Sequence, residues 1–450
     1  MKYPPLVILI VCLALALPSP GQDPRPVPAP AFGEELPYTE VLVPPMPVRE
    51  RMPLALSTEL RSENFLRMGI EVGTAFDDNA LLTSTAHSSD VSYIFLPNVE
   101  IGQSRPRTRW GLTYRPGFTI NHHLSERNQM AHGLAFIADY RLTPHVAVRL
   151  REGLDKTNNT FSGLLQGAQA PGSVPGQAPN FSSVTPLAER TSNISAVDLT
   201  YQFGANSMAG VSGNYYFSNY SRDTSATVAL LDSSSAGGDA FYAHRFANRH
   251  WAGLMYNFQR LQFQPGNRTN VQRLPLFYAL SLGSHVVLSL WAGPEYSVTP
   301  YAVAATTQPG ATARSRVGGT GGGDLTWQGN RTSIRAGFLQ QTTDGGGLAE
   351  AAVLKDFRAE LRRRLSTRWT VTAVLTRSQN NPLYPVASSL PYLTWTGGGG
   401  FEYAFSEHWA ARLGYTREHL DTQTHPPTSA TNRNRVLFSV SYLFSRPLGR

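Results

Sequence analysis

At 450 residues the chain is long enough for two or three ordinary domains or one large one, and its formal net charge of +8 rests on arginine, since Lys2, Lys156 and Lys355 are the only lysines. No Lys/Arg-dense tail or stripe is present, so no nucleic-acid partner is expected. No stretch reaches the roughly 18 consecutive apolar residues of a transmembrane helix. The single cysteine, Cys12, lies in the N-terminal apolar run, which removes disulfides, Cys-zinc sites and Cys nucleophiles from the rest of the chain.

In chain order, Lys2 precedes the apolar run Leu6 to Leu17, and PSPGQ comes next, with Ser19 and Gly21 as small residues. This pattern predicts a secretory signal peptide over 1–21, cut after Gly21. LIVC (Leu9 to Cys12) resembles a lipoprotein box, but Val11 is too large for the position before the cysteine and apolar residues continue after it. Residues 22–62 are rich in proline (Pro24, Pro26, Pro28, Pro30, Pro44, Pro45, Pro47) and predict an extended periplasmic linker.

From 63 to 450 one pattern dominates: runs of ten to fourteen residues that alternate apolar with small or polar residues. Met68, Ile70, Val72, Thr74 and Phe76 alternate with Arg67, Gly69, Glu71 and Gly73. Trp110, Leu112, Tyr114, Phe118 and Ile120 alternate with Arg109, Gly111, Thr113, Arg115 and Thr119. Trp409, Ala411, Leu413 and Tyr415 alternate with His408, Ala410, Arg412 and Gly414. Val436, Phe438, Val440, Tyr442 and Phe444 close the series. A period of two means strands with one apolar and one polar face. Glu350 to Leu365 also has helical spacing (Val353, Phe357, Leu361, Leu365), but it enters an LSTRW turn as the other runs enter theirs and is read as a strand. Short connections such as LTPH (Leu142), ANRHW (Ala247), LGSHV (Leu282), LSTRW (Leu365) and FSEHW (Phe405) alternate with long Gly-, Pro-, Ser- and Asn-rich ones, the longest over 158–192.

The polar faces carry too much charge for the core of a sandwich, yet they recur on every strand. The fold class expected is therefore all-β: a transmembrane antiparallel up-and-down β-barrel of about 18 strands, with short periplasmic turns and long outer loops. Trp251, Trp369 and Trp409, standing just after their turns, are expected in an interfacial aromatic girdle with Tyr442 and Phe444. The preceding Arg or His (His145, His250, His285, Arg368, His408) either meets lipid phosphate or is simply solvated. Strand parity turns Arg109, Arg115, Arg149, Arg151, Arg273, Arg335, Arg358, Arg362, Arg412, Glu295 and Glu402 toward the lumen. Two readings stay open for these charges: a guanidinium ring that favours anions, or cross-strand pairs that merely hold lumen water.

With AFDDN (Ala75 to Asn79), the repeated LSxRW-like turns and the last strand FSVSYLF (Phe438 to Phe444), the chain resembles bacterial outer-membrane β-barrels, and more narrowly the β-barrel porin type-2 group associated with exopolysaccharide gene clusters. The resemblance implies an outer-membrane location in a Gram-negative cell, and contact with membrane lipids and lipopolysaccharide. It also implies recognition of the last strand by the barrel-assembly machinery, although SRPLGR comes after it where an aromatic terminus is common. The function expected is a passive channel for small solutes, anionic ones included, or for a secreted polysaccharide. The alternative is a structural or surface-interaction barrel with a plugged lumen.

No catalytic set, cofactor site or metal site is read, and the chain is not expected to be an enzyme. The glycine runs 318–324 and 396–403 lead into strand patterns rather than a helix, unlike a phosphate loop. His122-His123 lacks a third ligand, and Asp77-Asp78-Asn79 reads as a turn.

Overall fold

The computed structural model describes residues 64–83, 87–157, 189–221, 230–246, 249–264, 266–282, 285–300, 313–347, 350–384, 391–422 and 430–448. The expected signal peptide, the Pro-rich segment, the turn residues 247–248 and 283–284 and most of the 158–192 loop lie outside them.

The strands are β1 (Phe65–Asp77), β2 (Asp90–Ser104), β3 (Thr108–Asn121), β4 (Gln129–Arg141), β5 (Val146–Thr157), β6 (Arg190–Gln202), β7 (Ser207–Tyr220), β8 (Ser233–Phe246), β9 (His250–Phe263), β10 (Asn267–Arg273), β11 (Leu276–Leu282), β12 (Val286–Thr299), β13 (Arg314–Gln328), β14 (Thr332–Asp344), β15 (Ala351–Arg364), β16 (Trp369–Pro382), β17 (Tyr392–Ala404), β18 (Trp409–Thr422) and β19 (Ala430–Pro447). Apart from β10 and β11, which both pair with β9 and β12, each pairs antiparallel with its sequence neighbours, and β1 pairs with β19, so the sheet closes. β10 and β11 are two halves of one stave, interrupted where Pro275 has no N–H to give. The result is an eighteen-stave barrel. Among the described residues the one helical element is a single 3-10 turn, Ser125–Arg127. The ambiguous Glu350 to Leu365 run is strand β15.

Side-chain exposure follows the pleat. Met68, Val72 and Phe76 on β1, Leu413 and Tyr415 on β18, and Val436 and Phe438 on β19 are exposed, while their alternates are turned inward. An apolar outer wall around a polar interior is the arrangement lipid demands. These observations make the chain a transmembrane barrel of the outer-membrane type.

The recurrent short turns have a common cause. Ser366 Oγ accepts from the backbone N–H groups of Arg368 and Trp369, at 3.2 and 3.1 Å. Ser406 Oγ does the same for His408 and Trp409, both at 3.2 Å. Thr143 Oγ1 accepts from His145 and Val146, at 3.2 and 3.0 Å. A Ser or Thr three residues before the first strand residue thus satisfies turn N–H groups that no strand can pair.

The closing seam is latched at its outer end by AFDDN. Asp77 accepts from Arg433 Nε at 2.7 Å and lies 3.8 Å from Arg435 Nε; both guanidinium groups also face Glu418. Asp78 accepts from Asn434 N and Nδ2, at 2.7 and 2.6 Å, and the Asn79 side chain accepts from Thr83 N and donates to Asn432 O. The motif is a turn, as its sequence suggests, and it also ties the first strand to the last. At the other end the residues after Phe444 prolong the seam: Pro447 stands opposite Phe65, and Leu448 N donates to Asn64 O at 2.7 Å.

Asp77→Ala removes one of the two carboxylates that face Arg433 and Arg435, both almost fully buried. The expected loss is roughly 3 kcal/mol of stability, read as a lower urea midpoint for the barrel in vesicles; Asp78→Ala is expected to cost about 1 kcal/mol.

Candidate functional site

The functional surface of a barrel is its inner wall, and here that wall has two unlike halves. On β3–β5 and β14–β18 the periplasmic half of the inner wall carries charged side chains that, apart from the buried Arg151, are partly exposed. Arg149 Nε lies 2.5 Å from Asp139, across from which Arg109 also stands. Arg151 reaches both oxygens of Asp198, at 3.0 and 2.9 Å. Arg412 meets Glu402 at 3.2 Å, and Arg362 faces that same pair. Arg335 stands directly opposite Glu360. Arg115 donates to Asn98 at 3.3 Å. Arg358 and Asp324 flank Gly337, one on each neighbouring strand. Ion pairing is thus seen for some of these charges and not for others. Arg149, Arg151 and Arg412 are held in ion pairs, whereas Arg115 and Arg358 form none with a carboxylate among the described residues.

On β7–β12 the inward side chains are buried, and in the outer half the cover is the barrel's own hairpin. β14 pairs with β13 only from Ser333 to Gln340. Beyond Gln340 it leaves the wall, still paired with β15, and residues 341–347 are buried. The edge of β13 from Arg314 to Gly319 is left without a strand partner on that side and is exposed throughout.

The hairpin tip crosses the lumen. Thr342 N donates to Glu295 at 3.1 Å, and its carbonyl accepts from Arg273. Arg273, fully buried, also donates to Glu295 at 2.7 Å, Asn257 at 2.6 Å and Gln259 at 3.1 Å. Ser233 donates to Asp344 at 2.9 Å, and Leu231 N to Gly347 O at 2.9 Å. From the nearly opposite wall, β17, Tyr392 OH donates to Gly345 O at 3.2 Å. Tyr216, Leu261, Phe263 and Val271 meet Ala351 and Leu383 in an apolar seal. The turn needs glycine: Gly346 and Gly347 have φ of 61° and 87°, and a Cβ on Gly347 would lie 2.7 Å from the Tyr220 ring.

Below the hairpin, Met208, Trp251, Met255, Phe277 and Trp291 form a second buried apolar cluster, with Leu339 against it. The Trp291 ring packs against Gly322, where a Cβ would come within 2.9 Å of the indole. Trp251 corrects the sequence expectation. It is 7% exposed and points into the barrel, beneath the Arg245 guanidinium, not outward into an interfacial girdle. Trp369 and Trp409 are the first residues of their strands, whereas β9 begins at His250, so Trp251 is the second and takes the other face. The usable signal was the missing Ser or Thr three residues before His250. Trp369 and Trp409 do face outward, 45% and 49% exposed, with their rings 4.7 Å from Tyr403 and 4.9 Å from Tyr442. Phe444 is also exposed. Arg368 donates to Tyr403 OH, and the His408 ring reaches Leu443 O at 3.0 Å, so these turn side chains brace neighbouring strands.

The DGGG tip (Asp344 to Gly347) and the anchoring role of Arg273 were not read from the sequence. Parity gave Arg273 and Glu295 a lumen position but no partner on a distant strand. Among the described residues no three His, Cys, Asp or Glu side chains converge on a metal position.

No protein-family model matches the chain, and no curated protein matches it. Among solved structures it is similar to Pseudomonas aeruginosa OccK2 (OpdF), with 11% identity over 86% of this chain and 99% of that one, at a TM-score of 0.44. It is similar to a BenF-like porin from Pseudomonas fluorescens Pf-5 (11% identity, 85% and 98% covered, TM-score 0.43). A third is Pseudomonas aeruginosa OpdK with vanillate (9% identity, 85% and 99% covered, TM-score 0.40). None of the three is described as exopolysaccharide-associated, so the narrower resemblance to the porin type-2 group gains no support from them.

In single-tryptophan proteins reconstituted with brominated lipid, Trp409 is expected to be strongly quenched and Trp251 hardly at all; equal quenching would return Trp251 to the outer face.

Proposed function

We propose that the chain is an outer-membrane channel for the passive passage of small solutes, with a preference for anions. The observation that carries this reading is the division of the lumen. Partly exposed, arginine-bearing inward side chains line the periplasmic half of β3–β5 and β14–β18, beside a half that the inward hairpin and the apolar clusters fill. Eighteen staves leave room for water, and the hairpin narrows that room to one side.

Along the open path Arg109, Arg115, Arg335, Arg358 and Arg362 present guanidinium forks that suit carboxylate or phosphate groups. The local field is moderated by Asp139, Glu360 and Glu402, so the preference is expected to be graded rather than absolute. Such passage needs no cofactor or catalytic group. A polysaccharide strand would have to thread past the hairpin, which disfavours an export role.

The second reading, a plugged structural barrel, draws on the same hairpin, since its tip touches both walls. Conductance separates the two. In planar bilayers the protein is expected to give stable current steps, with a reversal potential in a salt gradient that favours anions. Arg115→Gln combined with Arg358→Gln is expected to move that potential toward zero. Absence of steps would support the plug, and a cation-favouring potential would overturn the arginine assignment.

A further inference from the structure

On the outer wall, four consecutive staves change character at the same height. Moving outward from the periplasmic turns, the outward residues of β16 are Trp369, Val371, Ala373 and Leu375, and then Arg377. Those of β18 are Trp409, Ala411, Leu413 and Tyr415, and then Arg417. On β15, Leu361, Ala359 and Phe357 give way to Lys355; on β17, Phe401, Gly399 and Gly397 give way to Trp395. Lys355, Arg377 and Arg417 are all exposed. Arg377 stands directly opposite Trp395, and the Arg417 guanidinium lies 5.9 Å from the Trp395 ring, which also meets His419 at 5.6 Å.

The row is local. At the same height β1 carries Thr74 and Phe76, β3 carries Phe118 and Ile120, and β12 carries Pro294 and Tyr296. The carboxylates near the row do not neutralise it. Asp356 and Glu418 point to the lumen, where Ser378 donates to the first and Arg433 and Arg435 hold the second. The next outward carboxylate is Asp421, two residues beyond His419. The register sets Arg417 four residues from the position level with Lys355, so with four strands at about 4.8 Å spacing and about 3.4 Å per residue the three cations form a diagonal row about 20 Å long, with no outward carboxylate on these strands between them.

We propose that this row is a binding site for the phosphate groups of a phosphorylated lipid of the outer leaflet. The height decides the ligand: just above an apolar belt, on the outer wall, the anions present are lipid phosphates. The cations supply the charge complement, and Trp395 supplies an interfacial ring that bears on the lipid backbone. The inference rests on the outer-membrane reading with the long connections facing outward, but not on the lumen conducting, because the row faces away from it.

The test uses full-length barrel in detergent, with bound lipid counted by native mass spectrometry. The probes are lipid A carrying two phosphates and the same lipid with its phosphates removed. The unaltered protein is expected to prefer the phosphorylated form, and the preference is expected to weaken with salt. Lys355→Gln, Arg377→Gln and Arg417→Gln together are expected to weaken that binding about a hundredfold, taking each cation's contribution as roughly that of one near an anionic surface. The control removes two outward cations elsewhere, Arg260→Gln and Arg268→Gln, and is expected to bind as the unaltered protein does. Equal binding of the two lipids by the unaltered protein would overturn the proposal without recourse to any variant. So would a triple variant that binds like the control. Bilayer conductance is expected to be unchanged in the triple variant, so a silent channel with intact lipid binding would defeat the function proposed above and leave this site standing.

Discussion

A backbone N–H that faces hydrocarbon has no partner except another strand, and this constraint shapes the whole molecule. It requires the sheet to close, and the β1–β19 ladder closes it over its full length, from Phe65 opposite Pro447 to Asp77 opposite Arg435. It also explains where the wall is allowed to open. The edge of β13 that has no strand partner on that side, Arg314 to Gly319, begins only above the last apolar outward residue of β14, Phe338. At that height water and headgroups can satisfy the groups that the departing hairpin abandons.

Closure alone would leave a wide, open lumen. The departure of β14 from β13 beyond Gln340, and the turn of the hairpin tip into the lumen, make it asymmetric. Arg273 is central to that conversion: it sits at zero exposed side-chain area, and four neighbours accept from it, one of them the hairpin backbone at Thr342. A guanidinium so buried is tolerated only when its donors are used, and here their use specifies where the hairpin lies. The charged side chains on the far side stay partly exposed.

Much of the barrel was legible in the sequence. Eighteen alternating runs give eighteen staves, because a period of two is a local property that every barrel strand must satisfy. The face of each residue followed wherever the first strand residue was known. Trp251 shows the sensitivity of that step, since a one-residue difference in strand start reversed its face. The inward hairpin was not legible for a related reason: Gln341 to Asp344 alternate in the same way whether the strand stays in the wall or bends from it. What marks the bend is a set of contacts between residues far apart in the chain, Arg273 with Thr342 and Ser233 with Asp344 among them, and a single sequence carries no direct trace of them. The glycine tip at 345–347 was visible but indistinguishable from the glycines that fill β13 and β17.

On the channel proposal, the hairpin is the element that narrows the lumen. The most direct measurement is single-channel conductance of the unaltered protein beside one in which residues 343–352 are replaced by a two-residue Asn-Gly turn. The shortened protein is expected to give steps at least twofold larger, with less anion preference as the path widens. Equal steps would contradict that role by placing the constriction elsewhere.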